Sequence, residues 1–292
     1  MSSSWMPTSA WTVDPDDPRA PPEEIWEGLS PGERKRIVDC LPSEFPSCEA
    51  YPPEGDAHFK AKTGTREVLD GFFARVGRRV YLACELPIYY PGERLFAPDI
   101  SAVIDVATHE RKSWVVKEEG KGLDLAIEIL VSGDRRKDLE ENVERYARLG
   151  IAEYFVFDRA RLRLHGYRLP EVGARVYQPI HPQGGLYASH VLGLDLRIEE
   201  SRLRFFHGAA SIPDANELIS SLQKMIDGAE LRITVAEERA DEESRLRAEA
   251  SRLLAEQSLL LAEESRLRAE AERRLAEARA EIERLKADRT RS

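Results

Sequence analysis

At 292 residues with 42% hydrophobic side chains, the chain can bury one sizeable core and carry appendages, and its longest apolar run is far too short to span a bilayer. The formal net charge of -10 is unevenly spread: residues 1–56 hold 4 basic and 12 acidic side chains, residues 209–292 hold 15 and 19, and the middle holds 24 and 22. The acidity therefore sits in the extensions, and the near-neutral middle neither demands nor excludes a phosphate-bearing substrate.

The start, MSSSWMPTSAW, has no basic stretch followed by an apolar segment, so a protein without a secretory signal, located in the cytoplasm, is expected. Residues 1–56 read as an acidic, largely flexible N-terminal segment, because "DPDDPRAPPEE" is rich in Pro, Asp and Glu. Within it Ser30 is placed to cap a short helix over "RKRIVDCL", with Pro31 at its first position and an end before Pro42. "PSEFPSCEAYPPEGD" then reads as a linker. Cys40, Cys48 and Cys84 are odd in number and lack CxxC spacing, which argues against a disulfide framework and against a zinc site.

Residues 57–208 read as an α/β domain. "TREVLDGFFARVG" places Val68, Leu69, Phe72, Phe73 and Val76 on one helical stripe ended by Gly77. "RRVYLACELPIYY" and "RLFAPDISAVIDV" predict two strands joined by a hairpin turn at Pro91-Gly92-Glu93-Arg94. "GLDLAIEILV" predicts a third strand, "RRKDLEENVERYARLG" an amphipathic helix stopped by Gly150, and "EYFVFD" a fourth strand. Further strands are expected at "RLRLHGYRL", "ARVYQPI" and "LGLDLRIEESRLRFF".

Residues 209–243 read as a connecting helical region, and residues 244–292 as a coiled coil. "SRLRAEA", "SRLLAEQ", "SLLLAEE", "SRLRAEA" and "ERRLAEA" repeat every seven residues, with Leu246, Leu253, Leu260 and Leu267 at one heptad position. A helix of this length would run about 70 Å at about 1.5 Å per residue. Gln257 and Glu264 interrupt the stripe, so a solitary solvated helix held by Glu/Arg pairs is the competing reading. Sustained heptads favour a homo-oligomer, a dimer first among the possibilities.

One residue stands out in this pattern. Glu128 lies inside Leu125, Ala126, Ile127, Ile129, Leu130 and Val131, where a carboxylate costs several kcal/mol unless something pairs with it. Strand alternation puts Glu128 on the face of Ala126 and Leu130, opposite Leu125, Ile127 and Ile129. Asp99 follows Pro98 at the start of the preceding strand. Neighbouring strands would bring the two carboxylates to one end of the sheet. With the backbone carbonyl of Ile129 and several waters they would make an oxygen site suited to Mg²⁺ or Mn²⁺.

"APDISAV", "LDLAIEIL" and "RRKDLEENVERYARLGIAEYFVFD" resemble the Uma-type family of restriction endonucleases, within the PD-(D/E)xK nuclease superfamily. The resemblance runs from about His58 to about Phe206, including "SHVLGLDL", and leaves out the coil. It implies a restriction-endonuclease-like core of helix, three strands, helix and strand, the order already read from the pattern. It also implies Asp99 and Glu128 as ligands of a catalytic metal, with DNA as the substrate. The superfamily's lysine two residues after the glutamate falls on Leu130. The alternative lysine of Uma-type sequences, four residues after Asp138, falls on Asn142. Asparagine orients a water but carries no charge, which leaves Lys137, Arg136 and Lys121 as candidate cations. Asp138, Asn142 and Tyr146 form an i, i+4, i+8 stripe toward the same pocket, and Glu67 on the first helix is a possible third carboxylate.

Each of these residues also has an ordinary structural role open to it: Asp99 at a strand start, Glu128 paired with a core arginine, Asn142 and Tyr146 in helix packing, and Glu67 on a solvated face. The histidines show no HExxH spacing, and GxxxxGK[ST] and GxSxG are absent, which removes zinc-protease, P-loop and serine-hydrolase chemistry. Two functions follow. One is a Mg²⁺-dependent endonuclease dimerised by its coil. The other is a catalytically inactive nuclease fold that serves as a coil-assembled binding or scaffold protein. A membrane partner is not expected.

Overall fold

The computed structural model describes residues 11–44, 55–131 and 135–289. The chain divides into two compact units, Met1–Leu218 and Ile219–Ser292. In the first unit the N-terminal residues form two helices, α1 (Glu23–Gly28) and α2 (Pro31–Cys40). Ser30 caps α2 through a reciprocal box: its hydroxyl accepts from the Glu33 N–H, and its own N–H donates to the Glu33 carboxylate at 2.8 Å. The cap and Pro31 act as the sequence predicts.

The largely flexible segment expected before residue 57 is not what residues 11–44 form. Trp26, Ile37 and Leu41 are buried against Tyr89, Leu95 and Val115. Arg19 donates to the Gly92 carbonyl at 3.0 Å, and Leu95 N–H donates to the Pro18 carbonyl. The acidic composition hid a small number of large apolar side chains that find a partner surface only in the fold.

Next come α3 (Asp56–Val76), β1 (Val80–Ala83), β2 (Ile88–Tyr89), β3 (Ile100–Ile104), β4 (Trp114–Val115), the single turn α4 (Val116–Glu119) and β5 (Leu125–Leu130). A π-helical turn, Lys137–Glu141, leads into α5 (Asn142–Leu149), and β6 (Glu153–Asp158) follows. The strands β7 (Arg163–Arg168) and β8 (Gln178–Pro179) complete a six-stranded sheet of order β1-β3-β5-β6-β7-β8. Within it β5 and β6 are parallel and the other neighbours antiparallel.

Alternation sorts the side chains of this sheet cleanly. Leu82, Ile100, Leu125, Ile127, Phe155 and Phe157 face α3. Tyr81, Ala83, Ala126, Leu130, Tyr154 and Val156 face the opposite layer, where Tyr146 and Ala147 of α5 pack. Gly166 in β7 is needed for the packing on the α3 face: a Cβ there would stand 2.8 Å from the Phe155 ring. Of the stripe expected on α3, Leu69 and Phe73 are fully buried and Val76 is exposed. The buried line begins earlier, at Lys62 and Thr65. Gly77 and Gly150 end their helices in the left-handed region, at φ 69° and 81°.

The hairpin expected at Pro91-Gly92-Glu93-Arg94 forms: Glu93 N–H donates to the Tyr90 carbonyl, Ile88 and Phe96 exchange backbone hydrogen bonds beside the turn, and further out Val80–Ala83 pair antiparallel with Ser101–Ile104 in the same register. β1 pairs with β3, whereas β2 pairs in parallel with β4. Pro87 and Pro98 break the two predicted strands and redirect the chain between them.

A second antiparallel sheet, β12-β11-β10-β9, is built from β9 (Tyr187–Ser189), β10 (Leu194–Glu199), β11 (Arg202–His207) and β12 (Ala210–Ser211). Its Leu194, Leu196, Leu203 and Phe205 join the core on the α3 side. The last element, α6 (Ala215–Arg289), is one continuous helix of 75 residues, so the connecting region and the heptad segment are not separate elements. No helix among the described residues is long and apolar enough to cross a membrane.

Because the N-terminal segment contributes core, Trp26→Ala should cost about 3 kcal/mol. Urea unfolding followed by circular dichroism checks this; an unchanged midpoint would mean that the segment is only loosely attached.

Candidate metal centre

Three elements converge on Glu128. β5 carries it at its centre and points it toward α5, where the Tyr146 hydroxyl donates to Oε1 at 2.9 Å. The other oxygen, Oε2, accepts the backbone N–H of Asp99 at 3.3 Å. In return the Asp99 carboxylate accepts the Ile129 N–H through Oδ2 at 2.6 Å. β3 pairs with β5 only as far as Ile100 opposite Ile127, so Asp99 and Ile129 lie just beyond the ladder, and the aspartate side chain takes the place of a strand partner. An extended residue carries its N–H and C=O on the same strand edge. The Ile129 carbonyl therefore faces the Asp99 side, as expected of a third ligand.

The sequence pattern did not single out His58 for this site. Its Nε2 lies 3.1 Å from Asp99 Oδ2, and the two side chains are 17% and 14% exposed. His58 stands one turn before the buried Lys62, which pairs with Glu85 at 2.6 Å. A polar residue at 58 followed at 62 and 65 by others on the sheet-facing line of α3 was the available signal, because such a line is normally apolar.

Glu128 is buried and makes no ion pair with any described residue. Burial, then the neighbouring charges of Asp99 and Asp138, push its carboxyl well above the usual range; Lys137 and the Tyr146 hydroxyl pull the other way. Burial and the Glu128 charge likewise hold the Tyr146 phenol in its neutral, donating form. Among the described residues no arginine pairs with Glu128.

The π-turn and α5 line up the stripe Asp138, Asn142, Tyr146, and all three are buried. Of these, Tyr146 reaches Glu128 by a hydrogen bond. The Asn142 amide donates to Asp138 Oδ1 at 3.0 Å, and Tyr154 donates to the Asp138 carbonyl at 2.9 Å. Leu130, at the usual lysine position, is buried in the layer facing α5. Lys137 is the cation whose charge bears on Glu128.

Three other candidates lie elsewhere. Glu67 is exposed and lines a cavity of about 380 Å³ with Lys60, Arg159 and Arg202, because it sits off the sheet-facing line of α3. Lys121 binds the Ile104 carbonyl and Asp124, at the far end of the β3–β5 pair. Arg136 is exposed and pairs with Glu141. Of the thiols, burial pushes Cys84 up to about 11, Cys40 is exposed, and Cys48 lies outside the described residues.

No group of three or more His, Cys, Asp and Glu among the described residues is arranged to hold a metal ion. A cation here would rest on the two carboxylates, the Ile129 carbonyl and water. That donor set suits a hard divalent ion such as Mg²⁺ or Mn²⁺. A buried carboxylate lacking an ion-pair partner beside a second carboxylate is the observation that fits such an ion.

The raised carboxyl has a sign that can be measured. Above the ordinary carboxylate pKa the unfolded chain releases the Glu128 proton before the folded chain does, so metal-free stability falls as pH rises toward the folded value. At neutral pH and above, Glu128→Gln should raise the metal-free melting midpoint by on the order of 1 kcal/mol, about 2–4 °C, and the gain should vanish in acid. Calorimetric scans across pH check this; a constant difference would show that Glu128 titrates normally.

A family model described as "Putative restriction endonuclease", Uma2, matches residues 48–199. Among solved structures, one described as a putative nuclease belonging to DUF820 from Anabaena variabilis ATCC 29413 is similar at 16% identity, with 48% of this chain and 76% of that chain covered and a TM-score of 0.38. No curated protein matches. The matched residues run through α3, the central sheet and β10, with Asp99 and Glu128 among them, and make up just over half of the sequence: the chain belongs to the Uma2 family of putative restriction endonucleases.

Proposed function

We propose that this chain is a Mg²⁺- or Mn²⁺-dependent endonuclease that hydrolyses phosphodiester bonds in DNA. The observation that carries the proposal is the interlocked pair Asp99 and Glu128, held together at the start of β3 and on the neighbouring β5, with no arginine paired to Glu128 among the described residues. When bound, the cation supplies Lewis acidity toward the scissile phosphate and lowers the pKa of water. Asp99, Glu128 and the Ile129 carbonyl would hold it.

The remaining residues act on protons and orientation. Tyr146 fixes one oxygen of Glu128 and leaves the other directed toward Asp99. Glu128 would hold the cation as a carboxylate, and the cation's charge would offset the burial and like charges that raise its pKa. His58 holds Asp99 Oδ2 from the α3 side and is a candidate to accept a proton from water. Lys137 is the side chain proposed to offset the negative charge that develops on the phosphate, in place of the lysine absent at Leu130 and Asn142.

Cleavage of plasmid and short duplex DNA with Mg²⁺ or Mn²⁺ tests the proposal. Glu128→Ala and Asp99→Ala should each lower the rate by on the order of 10²-fold or more, and equal cutting by wild type and Glu128→Ala would reject it. A second function is favoured by one specific feature: the two usual lysine positions are a buried Leu130 and an Asn142 committed to Asp138. This is the inactive nuclease fold, serving as a binding or scaffold protein. Mn²⁺ titration by calorimetry separates them, because carboxylate-dependent binding belongs to the first and its absence to the second. Asn142→Lys would add cutting only if the centre is otherwise complete.

A further inference from the structure

The helix α6 leaves an apolar stripe uncovered. Leu246, Leu253, Leu260 and Leu267 are each more than half exposed, although they recur at a strict seven-residue spacing. Between them fall Ala250, Gln257 and Glu264, and Ala271 follows, which gives the alternating four-and-three spacing of a coiled-coil seam, with the leucines at d and the others at a. A continuous helix of 75 residues with this seam exposed lacks the cover that an amphipathic helix ordinarily obtains.

The flanking charges say what covers it. In this register every g position from 249 to 270 is a glutamate: Glu249, Glu256, Glu263 and Glu270. The e positions are Arg247, Leu254, Leu261 and Arg268. Antiparallel pairing sets g beside g and e beside e, which would line glutamate against glutamate and arginine against arginine. Parallel pairing in register sets each g beside the next e of the partner, and so joins Glu242 to Arg247 and Glu263 to Arg268, each pair twice by symmetry. It also lays the stems of Glu249 and Glu256 over Leu254 and Leu261. Within one helix Glu242 pairs with Arg245 and Arg268 with Glu272, but these exposed pairs are worth only about 0.2–1 kcal/mol and exchange readily. Gln257 at an a layer can meet its own copy by an amide hydrogen bond, which fixes register, while Glu264 at the next a layer meets its own copy as one like-charge contact against the four joined pairs.

We infer that the stripe on α6 is a self-association surface whose occupant is a second copy of this chain, paired parallel and in register. Each folded unit is joined to its coil through the N-terminal end of α6, so this pairing attaches both units at the same end of the coil. The inference does not depend on the metal centre.

Full-length protein carrying Cys40→Ser, Cys48→Ser and Cys84→Ser supports a direct test. In this background Ala250→Cys and Leu267→Cys, made separately, should both form covalent dimers on oxidation. Any one antiparallel register can bring at most one of those positions onto its own copy. Sedimentation equilibrium supplies the second arm. Glu263→Arg should weaken the dimer on the order of tenfold, and adding Arg268→Glu should restore it to within about threefold. Cross-linking at only one site or neither, a monomer at tens of micromolar, or a double variant no tighter than the single would each overturn the inference.

Discussion

Glu128 holds a carboxylate in the interior with two hydrogen bonds and no ion pair among the described residues, and the surrounding elements are arranged by the need to answer it. One bond comes from the Tyr146 hydroxyl on α5, the other from the Asp99 N–H just outside β3. The first fixes the height of α5 over the sheet. The second requires β3 to begin one residue later than its proline would allow, and the Asp99 side chain then satisfies the Ile129 N–H that β3 leaves open. Backbone groups so buried must find partners. Two strands and a helix are thus tied together by groups that would be orphaned singly.

Packing reinforces the same geometry. Tyr146 lies edge-on to Tyr154 at 5.0 Å between ring centres and is tilted against Phe96 at 5.3 Å. Arg145 covers the other face of that cluster with its guanidinium 4.5 Å from the Phe96 ring centre. Aromatic surfaces of this kind supply area and a fixed orientation together. The hydroxyl of Tyr146 is therefore delivered to Glu128 by a rigid ring, and its position does not rest on the hydrogen bond alone. On the opposite face of the sheet the apolar layer is aliphatic and phenylalanine, and its buried charges are paired: Lys62 with Glu85, and Glu153 with Arg168.

Much of this was legible in the sequence because the strands obey alternation closely. β5 lies within the predicted "GLDLAIEILV" and "EYFVFD" coincides with β6, and Glu128 faces α5 as its parity requires. Asp99 was legible from Pro98, and Tyr146 from its spacing to Asp138 and Asn142. His58 was not, since its meaning depends on which side of α3 meets the sheet, a tertiary fact. Residues 11–44 misled for a related reason: composition averages over the segment, whereas Trp26, Ile37 and Leu41 each bury on a surface that a distant part of the chain provides. The split of the predicted hairpin strands had a local signal in Pro87 and Pro98, but the parallel pairing of β2 with β4 had none.

The π-helical turn at Lys137–Glu141 places one extra residue where an α-helix would have wound on. The turn and the helix after it are set independently: the first winding of the turn presents the charges of Lys137 and Asp138 to Glu128, and α5 presents the phenol of Tyr146. A chain shorter by a single residue at this point would wind as ordinary α-helix, rotating Lys137 and Asp138 by about 100° while Tyr146 kept its place. Length variation of one residue is thus a way to re-tune the acidity of the interior glutamate with no change to the sheet, a lever that point substitution does not offer.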